Sequence, residues 1–258
     1  MLQKLIQRLS DPVFYRRRFA LLGQKFRSTQ DAEPVSDSVP DWDSLAIVIA
    51  HPDDEVFCSG LICELIDRGK SVQVLCLTRG EGGPLPEGEA RENLGRIREA
   101  EMRASCEILG ITQLEFLDHI DPLATEFRMF APAVSVADLA DQISGAVADA
   151  DAVLSHGSWG EYWHPAHLLT HSAVRRASAK TGTPMFTFRA HEPDPALPTL
   201  TNLRDPAALR LDFSRHHDRR LKALQCHDSQ LGLFEEFSGK SVEEFVRSMA
   251  VESYAEVR

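Results

Sequence analysis

Long apolar runs are missing from this chain. No stretch of the 258 residues approaches the ~20 apolar positions that a membrane-spanning helix requires, so no such anchor is expected. Positive charge is in short supply: 28 Lys and Arg face 39 Asp and Glu, a formal net charge of −11. That balance argues against a general nucleic-acid binder, since nothing systematic is available to neutralise phosphates. Cysteines are few. Cys58, Cys63, Cys76, Cys106 and Cys226 are odd in number, match no zinc-knuckle spacing, and in three cases sit in apolar runs. Reduced core thiols in a cytoplasmic protein are the expectation. Neither a GxGxxG nor a Walker phosphate loop occurs, and there is no internal repeat or low-complexity tract.

What is present is a normal core. A hydrophobic fraction of 43% beside a charged fraction of 26% suits one globular domain with an appendage. The appendage is MLQKLIQRLSDPVFYRRRFALLGQKFR, with seven basic residues against a single Asp11. Its apolar residues Leu2, Ile6 and Leu9, then Phe14, Phe19, Leu21 and Leu22, have roughly helical spacing. It lacks the uninterrupted apolar stretch and small-residue cleavage site of a signal peptide. A basic amphipathic helix over residues 1–30 can lie on an anionic membrane surface, dock a partner, or pack on the protein's own acidic body. The polar, proline-bearing stretch that follows predicts a linker at 31–44, ahead of one domain over 45–258.

Within that domain strand-like and helix-like segments alternate. LAIVIA (45–50) is a continuous apolar run rich in β-branched residues, as a parallel strand covered on both faces should be. A helical segment ending at Gly69 and a second strand, SVQVLCLT (71–78), complete a βαβ unit. Further strands are predicted at 114–118, 151–157, 184–190 and 210–214, with helices at about 88–109, 136–150, after Pro165, and at about 215–228. This alternation predicts an α/β fold, a Rossmann-like three-layer sandwich with a mostly parallel sheet. Ligands bind such sheets at the carboxyl ends of the strands. His51, Thr78–Glu81, Asp118–Asp121 and His156–His167 all follow predicted strands, so the polar clusters should share one edge.

The cluster after the first strand, HPDDE (51–55), puts three carboxylates side by side at the tip of the most apolar strand. Like charges repel, and burying them is costly unless a cation compensates. His51 and Asp54 are three apart at a strand-to-helix turn, and His164 and His167 share a face of the later helix. Two imidazoles and one carboxylate, with a position open for water, make the arrangement of catalytic zinc. We assign His51, Asp54 and His167 as metal ligands. Asp53 is then the spare carboxylate, suited to accept a proton from water as a general base. His164, when protonated, could stabilise an oxyanion and help protonate a leaving amine. Taken singly these residues have blander readings: a histidine after a strand is often structural, and an Asp-Asp pair often caps a helix. His171 fits a packing or supporting role, while His216, His217 and His227 stay ambiguous.

AHPDDE (50–55) resembles the signature of the LmbE-like, or PIG-L, zinc-dependent de-N-acetylases. LTRGEGG (77–83), REAEMRASCEILGI (98–111), FLDHID (116–121), YWHPAHLLTH (162–171) and KALQCHDSQ (222–230) resemble further family segments, over roughly 45–230. The resemblance implies removal of the acetyl group from an N-acetylglucosamine-type conjugate. It implies the same ligands (His51, Asp54 and His167, for Zn2+ with Fe2+ or another divalent ion as alternatives), Asp53 as base and His164 as electrostatic partner. Glu81, Arg98 and Asp121 lie in segments similar to substrate-contacting ones, and Tyr162 is near enough to line the site. One departure is Ala166, where the family often carries Asp between the two histidines; this bears on how His167 is oriented. Two other readings are weaker. A glycosyl or nucleotide enzyme lacks its phosphate loop, and a non-catalytic membrane- or partner-binding module would not need Asp53 beside Asp54. The expected partner is a small amino-sugar conjugate, in the cytoplasm, with a candidate membrane contact through residues 1–30. The sequence leaves the oligomeric state open.

Overall fold

The computed structural model describes residues 36–124, 129–191, 197 and 200–257, so the basic segment 1–30 lies outside the described residues. The first half of the domain runs β1 (Ser44–Ile49), α1 (Ser59–Asp67), β2 (Ser71–Thr78), α2 (Leu94–Leu109), β3 (Gln113–His119), α3 (Val136–Ala148) and β4 (Ala152–Ser155). There follow α4 (Pro165–Thr181), β5 (Met185–Phe188), β6 (Ala190–His191), β7 (Asn202–Pro206) and β8 (Leu209–Asp212). The chain closes with α5 (His217–Gln225), α6 (Leu231–Ser238), α7 (Val242–Ser248) and β9 (Val251–Val257).

Seven strands form the main sheet in the order β3-β2-β1-β4-β5-β9-β8. The first five are parallel, and β9 runs antiparallel to both β5 and β8. Alternate residues of each central strand go to opposite faces. Leu45, Ile47 and Ile49 of β1 join one apolar cluster with Val72, Val74 and Cys76 of β2. Ala46 and Val48 join the other with Leu75 and Leu77. Helices cover both faces, which is why β1 carries only apolar side chains between its ends. On the first face sit Leu61, Ile62 and Leu65 of α1, Met102, Cys106 and Leu109 of α2, and Ala223 and Leu224 of α5. On the second, α3 contributes Leu139, Ile143 and Val147, an i, i+4, i+8 stripe, and α4 contributes Ala173, Val174 and Ala177. The three-layer sandwich and its mostly parallel sheet are as expected from the alternation.

Sheet order decides where the site can be. From β1 the chain first builds outward through β2 and β3, then returns to add β4 on the other flank. The crevice outside the carboxyl ends of β1 and β4 is therefore the topological switch point, where such sheets bind ligands. His51 follows β1 and His156 follows β4, so both open onto it.

The structure departs from the sequence reading in several places. The helix expected from residue 88 begins at Leu94, after one 3-10 turn at Arg91–Asn93. From Ser36 onward the expected linker is fastened to the domain: Ser36 bridges Leu209, and the Trp42 ring lies 5.0 Å from that of Phe186. Strand β9, helices α6 and α7, and the two-stranded β6–β7 ribbon were not expected. VESYAEV hides a strand because its interior carries a buried charge, Glu252.

That charge has a definite task. Glu252 Oε1 accepts from Gly60 N at 2.8 Å and Oε2 from Leu61 N at 3.0 Å, so a carboxylate on β9 receives the free amides at the start of α1. Arg220 NH2 lies 3.0 Å from Oε1, and the Tyr254 hydroxyl donates to Oε2. The helix that directly follows the HPDDE loop is thus clamped by the last strand. An amide at position 252 can accept at only one of its two polar atoms. We predict that Glu252→Gln destabilises the fold by roughly 3–5 kcal/mol, as expected when one partner of a buried ion pair is lost. A urea midpoint equal to that of the parental protein would refute the clamp.

Candidate metal centre and active site

The HPDDE loop is a tight structure rather than a charged tip in solvent. His51, Asp53, Asp54 and Glu55 are all buried. Asp53 has φ of +92°, a left-handed backbone that costs an L-residue energy and persists where the surroundings hold it. Arg98, reaching from α2, does the holding: its NH2 donates to Pro52 O at 2.7 Å and to Asp53 Oδ2 at 2.9 Å, and its NH1 to Gly80 O at 3.0 Å. No side chain caps the helical turn that begins at Asp54, so the capping role open to an Asp-Asp pair is not taken.

Each carboxylate has its own set of donors. Glu55 accepts from Ser105 Oγ at 2.6 Å, pairs with His227 Nε2 at 2.6 Å, and accepts from Asp53 N at 3.0 Å. Asp54 accepts from His51 N at 2.8 Å and faces three imidazoles, those of His51, His156 and His167, each at 3.4 Å. Although burial works against its charge, attraction to His167 and His156 holds the Asp54 carboxyl well below the usual range. Asp53 behaves differently. Burial pushes its carboxyl up to about 6 against the pull of Arg98, and neighbouring Asp54 adds to the rise.

Three donor groups converge in the crevice. His51 Nδ1 is 3.4 Å from Asp54 Oδ2, His167 Nε2 is 3.4 Å from Asp54 Oδ1, and the two histidine nitrogens are 3.3 Å apart. A tetrahedral ion with bonds of about 2.0–2.1 Å spaces its ligand atoms about 3.3–3.4 Å apart, so the residues fit a divalent metal. Two imidazole nitrogens facing each other at that separation need a proton or a cation between them. The electrostatics agree: burial opposes protonation of His51, yet Asp121 and then Asp54 carry it up to about 10. The site is built to hold positive charge.

Other donors lie close by. The ligand atoms of His51, His164 and His167 are all within 4.8 Å of one another, as are those of Asp54, His156 and His167. His156 is spoken for, however. Its Nε2 accepts from Ala50 N at 3.0 Å, and its Nδ1 lies 3.0 Å from Glu161 Oε2, so both ring nitrogens already have partners. His164 is half-buried, with its ring edge-on to His51 at 4.7 Å and stacked on His167 at 4.6 Å. Of the other expected site residues, Asp121 sits with Oδ1 3.4 Å from His51 Nε2, while its Oδ2 accepts from Gly82 N at 3.2 Å. Glu81 Oε2 accepts from Asp121 N at 3.1 Å, tying the β2 and β3 loops together. Tyr162 stands edge-on to His164 and His167, at 5.6 and 5.4 Å between ring centres. Arg98 is buried beneath Asp53 rather than at the surface of the crevice.

Sequence reasoning passed over two residues at the centre, His156 and Glu161. His156 was visible as a histidine at a strand end; Glu161 carried no signal, because its importance comes from what packs around it. His171 is a supporting residue, with Nδ1 2.9 Å from His156 O, and His216 pairs with Glu64 at 3.0 Å on α1. Among the described residues no helix is long and apolar enough to cross a membrane.

A family model for GlcNAc-PI de-N-acetylases (PIG-L) matches residues 46–178, which contain every ligand candidate named above. The chain is 31% identical over 196 residues to a probable N-acetyl-alpha-D-glucosaminyl L-malate deacetylase 2 of Bacillus anthracis, covering 71% of this chain and 80% of that one. It is 26% identical over 235 residues to a 1D-myo-inositol 2-acetamido-2-deoxy-alpha-D-glucopyranoside deacetylase of Actinosynnema mirum, covering 76% and 83%. Among solved structures, the N,N'-diacetylchitobiose deacetylase of Pyrococcus horikoshii aligns with a TM-score of 0.64 at 20% identity, over 84% of each chain. The 4-carboxy-2-hydroxymuconate hydratase GalB of Pseudomonas putida aligns with a TM-score of 0.61 at 22% identity, over 83% and 96%. At these identities the two structures speak for the fold alone. The extent of the family match and the similarity to the Bacillus protein go further: the chain belongs to the GlcNAc-PI de-N-acetylase (PIG-L) family.

Proposed function

We propose that this protein hydrolyses the N-acetyl group of an N-acetylglucosamine-type sugar conjugate, with zinc held by His51, Asp54 and His167. The observation that carries the proposal is the meeting of those three side chains at 3.3–3.4 Å, beside a spare carboxylate, at the switch point of the sheet. Its relatives named as deacetylases of N-acetylglucosaminyl conjugates support the substrate class. When bound, a divalent ion polarises the amide carbonyl and makes water a competent nucleophile near neutral pH.

The chain's own residues supply the rest. With its carboxyl raised to about 6, Asp53 is ionised at neutral pH yet basic enough to take the proton from the attacking water. Arg98 keeps that carboxylate aimed and anchors the strained turn beneath it. His164, its ring 4.7 Å from that of His51, would when protonated stabilise the negative charge that develops on the carbonyl oxygen and hand a proton to the departing amine. Glu81, Asp121 and Tyr162 border the crevice and offer hydroxyl-recognising groups to the sugar, with Asp121 also backing His51. The domain over 45–258 is read as the catalytic unit. Its free cysteines, four of them buried, support a cytoplasmic location. Residues 1–30 would add peripheral contact with an anionic membrane.

Three outcomes are expected. Elemental analysis of purified protein should find about one divalent ion per chain, and His167→Ala should lower that occupancy. Parental protein that neither carries nor takes up zinc would exclude the centre. Asp53→Asn should keep its metal while acetate release from N-acetylglucosaminyl compounds falls by roughly 10²–10⁴-fold, the usual contribution of a general base. Unchanged turnover removes Asp53 from that role, and a parental protein that binds such compounds without releasing acetate would be a binding module. Anionic liposomes should co-sediment the full chain but not a form lacking residues 1–30; equal pelleting of both would dismiss the membrane contact.

A further inference from the structure

We infer that Glu161 is the positioning residue that sets the ring orientation and tautomer of His167, an inference that rests on the metal-centre reading above. Glu161 lies in the short helical segment Gly160–Trp163, its side chain wholly buried. One carboxylate oxygen, Oε2, lies 2.6 Å from His167 Nδ1 and 3.0 Å from His156 Nδ1. His156 Nε2 accepts from Ala50 N, so that ring carries its proton on Nδ1 and donates to Oε2. A carboxylate that takes donors at both oxygens acts as an acceptor, and His167 likewise presents N–H at Nδ1. A neutral imidazole that donates from Nδ1 carries its lone pair on Nε2. That is the atom of His167 found 3.3 Å from His51 Nδ1 and 3.4 Å from Asp54 Oδ1. Glu161 therefore turns the right nitrogen of His167, in the right protonation state, toward the crevice.

The carboxylate is itself locked. Its second oxygen, Oε1, accepts from Gly157 N at 3.1 Å and Asn202 Nδ2 at 2.8 Å. Asn202, at the start of β7, accepts from Glu161 N at its Oδ1 at 2.9 Å and donates from Nδ2 to Phe188 O at 2.9 Å. Position 157 must be glycine for this approach, since a Cβ there would fall 2.0 Å from Asn202 Cγ. The backbone of Glu161 is held at φ +56°, an unfavourable state for a side-chain-bearing residue that the four surrounding donors enforce. His156 completes the frame: stacked on His167 at 3.9 Å and 20°, it sets the plane of that ring. Between His164 and His167 stands Ala166, which brings no polar group to do this work.

The test is zinc affinity, measured on the full chain by competition with a chelator, with circular dichroism to verify folding. A glutamine at 161 sets its amide N–H groups against either the two imidazole donors or the Gly157 and Asn202 donors. Glu161→Gln should weaken zinc binding by roughly 10–100-fold, the usual cost of losing a partner behind a metal-ligating histidine. In a His167→Ala background the same substitution should weaken binding no further, because its effect passes through His167. Asn202→Ala, which keeps the carboxylate but frees it from β7, should give a smaller loss that also vanishes without His167. This second variant decides the matter if Glu161→Gln does not fold. A folded variant that binds zinc as tightly as the parental protein, or a loss of equal size with and without His167, would overturn the role of Glu161. Parental protein that binds no zinc would instead bring down the metal centre, and this inference with it.

Discussion

Negative charge buried at one point of the sheet is the constraint on which the rest of this structure depends. Asp53, Asp54, Glu55, Asp121 and Glu161 are all removed from solvent around the carboxyl ends of β1, β3 and β4. Isolated carboxylates in such a place would be neutral or would unfold the domain. Instead each is given particular donors: Arg98 for Asp53, His227 and Ser105 for Glu55, the His51 amide for Asp54, the Gly82 amide for Asp121 and two imidazoles for Glu161. These donors leave the triangle of His51, Asp54 and His167, whose polar atoms lie 3.3–3.4 Å apart, short of positive charge. That deficit is what a divalent cation would satisfy, and it gives the crevice its chemical character.

The two proposed ligand histidines each have a carboxylate behind them. Asp121 lies 3.4 Å behind His51 without a hydrogen bond, whereas Glu161 is hydrogen-bonded to His167 at 2.6 Å. A hydrogen-bonded carboxylate–histidine pair decides which ring nitrogen is free and where it points. Their supports come from distant parts of the chain. Asp121 is tied through Glu81 and Gly82 to the loop after β2, and Glu161 through Asn202 to β7. The HPDDE loop is stabilised from two sides as well, by Arg98 from α2 and by the Glu252 clamp on the start of α1. A site whose proposed ligands come from two loops is thus aimed by elements spread over some two hundred residues of sequence.

Much of this was legible beforehand because it is written in local pattern. The apolar runs at 45–50 and 71–78, the glycines closing α1 and α2, and the proline opening α4 each follow from short-range chemistry. The strand-end rule then gathers His51, Asp54, His164 and His167 onto one edge without any knowledge of contacts. Two of the elements that went unread, β9 and β6, have a different trait. Strand β9 carries a buried glutamate, which disguises its periodicity, and β6 is only two residues long. Neither has a local signature, since each exists to complete something built elsewhere.

The sequence by itself determined the layer architecture, the edge at which chemistry would gather, and the ligand types available there, because periodicity and strand order are local properties of the chain. Only the tertiary structure decided which histidine nitrogens are free and which carboxylates are already satisfied. His156 looks as suitable a ligand as His167 until Ala50 N is found against its Nε2. Glu161 looks like any surface glutamate until two imidazoles and an asparagine close on it. The reason is physical: tautomer, aim and charge depend on hydrogen bonds between residues far apart in the chain, and those partners exist only once the sheet has been assembled.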